Sequence, residues 1–420
     1  MSTFQLTDRP KLRWPLDTER TSHNGQEVLI LTDSERIAEY PAIIPLPLVQ
    51  IVARLDGETP LSRVLKDFAA QGLTEELLLA LIDQLDQLLF LDTPTARAKW
   101  SSVRDAFAQA AIRPTALAGL VYPEDAAKLR QSLQQFISDT ERRAPTSLKN
   151  EHVVAMISPH VDYRRGWQSY GSAYSILEQV ERPDVIFLIG TSHRPSNGIF
   201  HLANKAFASP IGTLPAASDA IEQLANRFGS ERAFREQHLH QREHSLELQL
   251  PWLAHRYSNE ALPEIVPILV GSFHELVEQG KKPADHGEAS EFIGACAEVL
   301  RSLNQSGKKV LFFGGVDLAH VGLHFGDRVR VSDTGLPEIQ RRDQQLLDVI
   351  LRGDEDGLFE HIAEDLDARR ICGFPSIYTM LAAMRRAGIS VRGHQVDYRQ
   401  AVEPTSDCVV TFASACWTSQ

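Results

Sequence analysis

From residue 151 onward the hydrophobic positions fall in short unbroken runs, whereas between about 45 and 95 they recur at helical spacing. The runs VVAMIS, DVIFLIG, EIVPILVG, KVLFFGG and CVVTFASA are bounded by Gly or Pro and separated by amphipathic segments. Strands buried on both faces read this way, so the pattern predicts an α/β sheet with helices between its strands. Nearer the start, QEVLILTD predicts a short strand and PLPLVQIVARLDG a helix ending at Gly57. TPLSRVLKDFAAQG predicts a second helix, capped by Thr59 with Pro60 in its first position, and TEELLLALIDQLDQLLFLD a third. Residues 1–95 therefore read as a small helical, winged-helix-like domain. Residues 96–150 are polar and helical, a linker and the start of the next domain, with RRAPTSLKN as a hinge. Residues 151–420 form that second domain.

Composition narrows this picture. A chain of 420 residues exceeds the roughly 100–200 typical of one domain, in keeping with two. The net charge of -12 disfavours a general affinity for nucleic acid or an anionic membrane. Residues 1–110 hold sixteen acidic and eleven basic residues, and the third helix carries Glu75, Glu76, Asp83 and Asp86 with no basic residue. A phosphate-facing recognition helix is built the other way, so a peptide or protein partner is expected here instead of DNA. No stretch reaches the roughly 18 apolar residues of a membrane span, and the N-terminus lacks the apolar core of a secretory signal, which makes the cytoplasm the expected location. Four cysteines without a CxxC pair point to reduced thiols, one or more of them a ligand.

The chemistry gathers behind the strands. VVAMIS leads to His160, DVIFLIGTS to His193, and KVLFFGGV to Asp317 and His320. In open α/β sheets ligands collect beyond the carboxyl ends of the strands, where these residues are placed to converge. Cys372 precedes Gly373, Phe374 and Pro375, which open a helix whose positive end would favour the thiolate. One histidine at a strand end is more often a hydrogen-bonded loop residue than a ligand; it is the set that points to metal. Asp317 is read either as a cap or as the carboxylate orienting His320. Cys296 and Cys416 lie in apolar segments and read as core.

A competing cluster is EQHLHQREHSLELQLPWL, in which His238 and His240 are expected to stay solvated. Glu243, His244 and Glu247 are read as pocket-wall groups behind the ligands or as simple caps. There is no HExxH, no GxxxxGK[ST], no GxGxxG after a strand and no GxSxG. Ser158 and Ser192 precede the chemical histidines but have no independent base and oxyanion site assigned to them.

The motifs SPHVDYRRGW, LIGTSHRP, REHSLELQLPWL, IVPILVG, GGVDLAHVG and ICGFPSIY stand in the order seen in the Memo family, which residues 112–418 resemble. Bacterial and archaeal members of that family are called AmmeMemoRadiSam system protein B and share the fold of LigB-type class III extradiol dioxygenases. The resemblance implies a three-layer arrangement of sheet and flanking helices. It also implies that His160, His193 and Cys372 are metal ligands, with His320 as acid/base group and Asp317 supporting it. The family's usual PHAGY is PHVDY here, so Val161 adds bulk and Asp162 a carboxylate beside His160, with Tyr163 following. GVD replaces the usual SSD. Residues 1–95 resemble a PqqD-like, peptide-recognition domain, through LDGETPLSRVLKDF and the LIDQLDQLLFLD helix.

Two imidazoles and a thiolate leave coordination positions open, as a non-haem Fe(II) oxygenase requires; the softer sulfur also accepts Cu or Zn. The expected function is an Fe(II) dioxygenase-like enzyme acting on a small molecule or peptide. The rival is a metal- and peptide-binding module without turnover, partnering a radical SAM enzyme. A third reading is a zinc hydrolase with Glu243 or Asp162 as base.

Overall fold

Three strands, β1 (Asp17–His23), β2 (Gln26–Thr32) and β3 (Ala42–Pro45), pair antiparallel in the order β1-β2-β3. Only β2 carries the apolar run that predicts a strand. The polar β1 is almost wholly exposed, and it forms because Asn24 and Gly25 take positive φ (50° and 77°), the backbone of a tight hairpin. Four helices follow: α1 (Leu46–Val52), α2 (Leu61–Phe68), α3 (Glu75–Gln87) and α4 (Pro94–Gln109). The first stops short of Gly57, because Arg54 and Leu55 donate their N–H groups to Ile51 and Val52 and tighten the last turn. Thr59 does not cap α2, which starts after Pro60. Its hydroxyl donates to Asp56, whose carboxylate also accepts the N–H groups of Glu58 and Thr59. Thr74 caps α3 by accepting from Leu77 N–H. Leu61, Val64, Leu78, Ile82 and Leu85 pack with Ile44 and Ile51 into one core.

The structure is a computed structural model that describes residues 3–33, 35, 37–140, 148, 151–331 and 335–420. Of the expected hinge RRAPTSLKN only Leu148 is among them. The chain divides into two compact units, Met1–Gln109 and Ala110–Gln420, whereas the sequence pattern divides it at 95 and 150. No helix among the described residues is long and apolar enough to cross a membrane.

The second unit opens with β4 (Ile112–Arg113) and α5 (Ala126–Asp139), followed by β5 (Val153–Ser158), α6 (Tyr163–Leu177) and β6 (Val185–Thr191). Then come β7 (Phe200–Leu202), β8 (Ala206–Ala208), β9 (Thr213–Leu214), α7 (Ser218–Phe228), α8 (Ser230–Phe234), α9 (His244–Glu247) and α10 (Leu250–Arg256). The remainder holds β10 (Glu264–Val270), α11 (His274–Glu278), α12 (Gly287–Gln305), β11 (Val310–Gly315), β12 (His320–Val321), α13 (Leu336–Leu351), α14 (Glu355–Ala363), α15 (Phe374–Arg386), β13 (Val391–Glu403) and β14 (Cys408–Ser419).

All five apolar runs become strands of one mixed sheet, ordered β12-β14-β5-β11-β6-β10-β7 with β13 paired along β14. Its middle strands β5, β11, β6 and β10 run parallel, so their carboxyl ends share one edge. Val185, Phe187 and Ile189 pack with α7, α12 and α15, while Ile186 and Leu188 pack with α5, α6 and α10. Alternate side chains of one strand thus enter two separate cores, and helices cover both faces. The half-polar β13 has no such run; its partner β14 recruits it by main-chain pairing.

Candidate metal centre

The shared carboxyl edge brings four imidazoles and a thiol together. His160 follows β5, His193 follows β6, His320 begins β12 and His244 begins α9. Ring centroids of His160, His193 and His244 lie 4.9, 5.1 and 4.5 Å apart in the three pairings. One ligand atom each of His160, His193 and Cys372 can be chosen so that all lie within 4.8 Å of one another, and His193, Glu243 and His244 form a second such group. Residues separated by more than two hundred positions therefore share one point in space.

Hydrogen bonds fix which nitrogen of each ring carries its proton. His160 Nδ1 lies 3.0 Å from the Gly315 carbonyl oxygen, which can only accept, so Nδ1 is the donor and Nε2 is left bare. His320 Nδ1 lies 3.1 Å from Leu318 O and 3.2 Å from Arg370 O, with the same consequence. His193 Nδ1 and His244 Nδ1 lie 3.0 and 3.1 Å from Glu243 Oε1. The carboxylate also accepts from His193 N–H at 3.1 Å and Ser245 N–H at 3.0 Å. Four imidazoles thus keep Nε2 as the nitrogen available to a metal ion or a proton at one edge of the sheet.

Burial, together with the neighbouring His193 and His244 rings, pulls the His160 pKa well below 6.5, and burial takes His320 down to about 4, so both rings are neutral. At Glu243 burial alone would favour the acid, but the His193 and His244 rings and their N–H bonds outweigh it and hold the carboxyl well below its usual range. Burial lowers His244 as well; there the Glu243 charge wins and the ring is raised above 6.5.

Cys372 sits where the sequence places it, one residue before the N-cap Gly373 of α15, but its electrostatics are the reverse of the expectation. Burial, then the charge of Asp317, push the thiol well above 9.0, because the short reach of a helix end does not offset desolvation and a nearby carboxylate. The sulfur lies 3.4 Å from His160 Nε2, and Asp317 Oδ2 lies 3.6 Å from the same nitrogen. Asp317 is itself pushed up to about 7 by burial. Sulfur, carboxylate and bare imidazole nitrogens crowd lone pairs together, and they need positive charge between them: protons, or a metal ion. The donor set fits such an ion, with each imidazole already oriented through its other nitrogen.

Several expectations need correction. Asp317 does not orient His320; its Oδ1 accepts from the N–H groups of His160 (2.9 Å) and Val161 (3.3 Å), while backbone carbonyls hold His320. Tyr163 does not face the site. It is buried among Tyr122, Tyr170 and Trp252, and its hydroxyl donates to Leu248 O at 2.6 Å. Glu247, one helical turn beyond Glu243, is buried elsewhere, paired with Arg113 Nη1 at 2.5 Å and accepting from Ala116, Leu117 and Tyr122. His238 and His240 are buried and not solvated; His240 Nε2–H donates to His201 O at 2.9 Å. Asp162 caps α6 and pairs with Arg165, and it also lines the pocket over the cluster, where the sequence places it.

A pocket of about 460 Å³ opens over the cluster, lined by His160, His193, His244, Asp317 and His320. Arg165, Arg242 and Cys408 also line it, and the sequence reading singled out none of them. Cys408 opens β14, whose run is visible in the sequence; the arginines carry no local signal. Gly315 was missed too. The doubled glycine of FFGG was the available clue, since a Cβ on Gly315 would strike the Ser245 carbonyl oxygen.

The fold and its site define a class: an α/β chain with a histidine–cysteine cluster at the carboxyl edge of parallel strands. A profile of the Memo-like protein family matches residues 113–416, and the chain belongs to that family. A MEMO1 family protein of Thermus thermophilus is 31% identical over 291 residues, which is 68% of this chain and 77% of that protein. A MEMO1 family protein of Aquifex aeolicus is 22% identical over 376 residues, 89% of this chain and 91% of its own. That span is more than the second unit alone supplies. A relative from Methanosarcina barkeri is 23% identical over 307 residues, 72% of this chain and 98% of its own.

Proposed function

We propose that the second unit is a mononuclear metal site with oxidoreductase chemistry, in which His160 Nε2, His193 Nε2 and Cys372 Sγ hold the ion. The observation that carries this reading is the uniform locking of the imidazoles: four Nδ1–H groups are tied to acceptors, which leaves Nε2 of each ring as the nitrogen that can take a metal ion or a proton. Two imidazoles and one thiolate suit Fe(II) first, with Cu or Zn as alternatives. Bound Fe(II) would supply one-electron and dioxygen chemistry of the kind that two-histidine, one-anion sites support.

The protein's own residues divide the remaining work. Glu243 orients His193 and His244 together. Asp317 fixes the backbone that carries His160. Leu117, Val121, Leu248, Phe325 and Val410 give the pocket an apolar wall, which excludes water from an organic substrate. His320 and His244 are pushed apart in pKa, the first to about 4 and the second above 6.5. Such a divergence supplies a base and an acid at one pH: His320 Nε2 accepts a proton from a substrate hydroxyl or thiol, and His244 returns one.

Metal analysis of protein purified without oxygen tests the assignment. His160→Ala and Cys372→Ala should each abolish stoichiometric metal, whereas His320→Ala keeps the metal and loses oxygen uptake with catechols or thiols. Unchanged metal content in the first two variants refutes the ligand set.

A further inference from the structure

The candidate centre has two faces, and the pocket over the histidines serves only one of them. Cys372 does not line that pocket. It lines a separate cavity of about 210 Å³ walled by Phe273, Val277, Ile371 and Phe374, with Asp367 and Arg370 also in the lining. Thr191 Oγ1–H donates to the Cys372 carbonyl oxygen at 2.9 Å and fixes the residue in this wall. Ser192, Gly271, Ser272 and His274 belong both to this cavity and to a wider one of about 650 Å³ that touches His193, so the two adjoin. Ser272 and His274 are exposed, which opens the combined passage to solvent. Ser192 is common to both, and its Oγ is buried with no hydrogen-bond partner among the described residues.

Size sets the class of visitor. A cavity of 210 Å³ equals the liquid volume of about seven waters, enough for a few heavy atoms and too little for the body that the pocket over the histidines admits. The two charged residues in its lining, Arg370 and Asp367, are of opposite sign and already bonded to Asp327 and to the Ile371 N–H, so the lining favours no ion of either sign. We propose that small uncharged molecules, from dioxygen up to a few heavy atoms, reach the sulfur face of the centre through this second passage, independently of whatever organic molecule fills the pocket beside His320. Their use there as reactants rests on the metal-site reading above; the passage itself does not.

The two routes carry their own reporters, because Cys372 lines the second cavity and Cys408 lines the pocket. Metal-free, full-length protein is alkylated with iodoacetamide at about pH 8.5, where burial keeps both thiols mostly protonated and the reactions slow, and each cysteine is followed by mass spectrometry against the native protein. Ser272→Trp, at an exposed position, should slow Cys372 on the order of tenfold by blocking access while leaving Cys408 unchanged. Val121→Trp, in the other pocket, should do the reverse. A variant that loosens the fold speeds both thiols together, and His274→Trp, also exposed, then replaces it. The inference is overturned if both tryptophans at the mouth leave the ratio of Cys372 to Cys408 rates unchanged, or if Val121→Trp slows Cys372. Protein that proves free of metal overturns the ligand assignment and leaves this result standing.

Discussion

Replacing Glu243 by glutamine removes a charge and almost no volume. In the native site Oε1 accepts from His193 Nδ1–H, His244 Nδ1–H and Ser245 N–H, and Oε2 accepts from His193 N–H, at 3.0–3.1 Å. A glutamine offers one acceptor oxygen and one NH2 group. With its oxygen in the place of Oε1, the NH2 confronts the His193 N–H; turned round, it confronts three donors. At least one buried donor loses its partner, at about 1–3 kcal/mol, and the surviving bonds fall to about half their charge-assisted strength. The His193 and His244 rings are then free to tilt. Metal affinity should drop about 10–100-fold, as for other carboxylates that orient a ligand histidine, or about 1.4–2.7 kcal/mol. Anaerobic titration of Fe(II) or Co(II) against a chromophoric chelator measures this, with circular dichroism to show that the fold is kept. A folded variant whose affinity stays within about twofold of the native protein would mean that Glu243 does not orient the ligands, contrary to the usual behaviour of such partners.

Arg113→Met leaves Glu247 charged and buried without its partner, so urea unfolding should show a loss of about 3–5 kcal/mol; a loss below about 1 kcal/mol contradicts the pairing argument. Gly315→Ala puts a methyl group into the Ser245 carbonyl and 3.0 Å from Gln249 Nε2, displacing α9 and the carbonyl that holds His160. The expected result is a folded protein without stoichiometric metal, and native metal content would count against it. His240 is held at about 3 by burial, with the His201 ring and Arg113 acting the same way and the His201 carbonyl and Glu243 opposing. The unfolded chain takes up this proton near pH 6.5 and the folded chain does not. Stability from this group is therefore complete above about pH 6.5 and declines at about 1.4 kcal/mol per unit as pH falls toward the folded value. His240→Gln should flatten the denaturation midpoint between about pH 6.5 and 5; identical slopes in the two proteins would remove His240 as the cause.

Two kinds of residue show how far local sequence reaches. His160 and His193 are legible because each follows a run that is buried on both faces, and chain order alone then puts them at one edge of the sheet. Glu243 and Glu247 are not separable in this way. They stand one helical turn apart in similar surroundings, yet one holds two ligand-side imidazoles and the other a buried arginine. Likewise His240 and His244 have the same local spacing and opposite fates, one walled in beside His201 and the other in the pocket. Cys372 lay at the predicted helix start, but the charge it carries depends on Asp317, which comes from another strand end.

By itself, then, the order of apolar runs determined an α/β second unit, the strands that compose its centre, and which histidines follow them, since periodicity and burial are properties of neighbouring residues. Only the tertiary structure decided that β11 lies between β5 and β6, which sets the Gly315 carbonyl on His160 and Asp317 beside it. It alone decided the tautomer of each ring, the reversal at the thiol and the two separate approaches to the cluster. These depend on distances between residues remote in sequence and on the loss of water around them, neither of which any stretch of chain encodes locally.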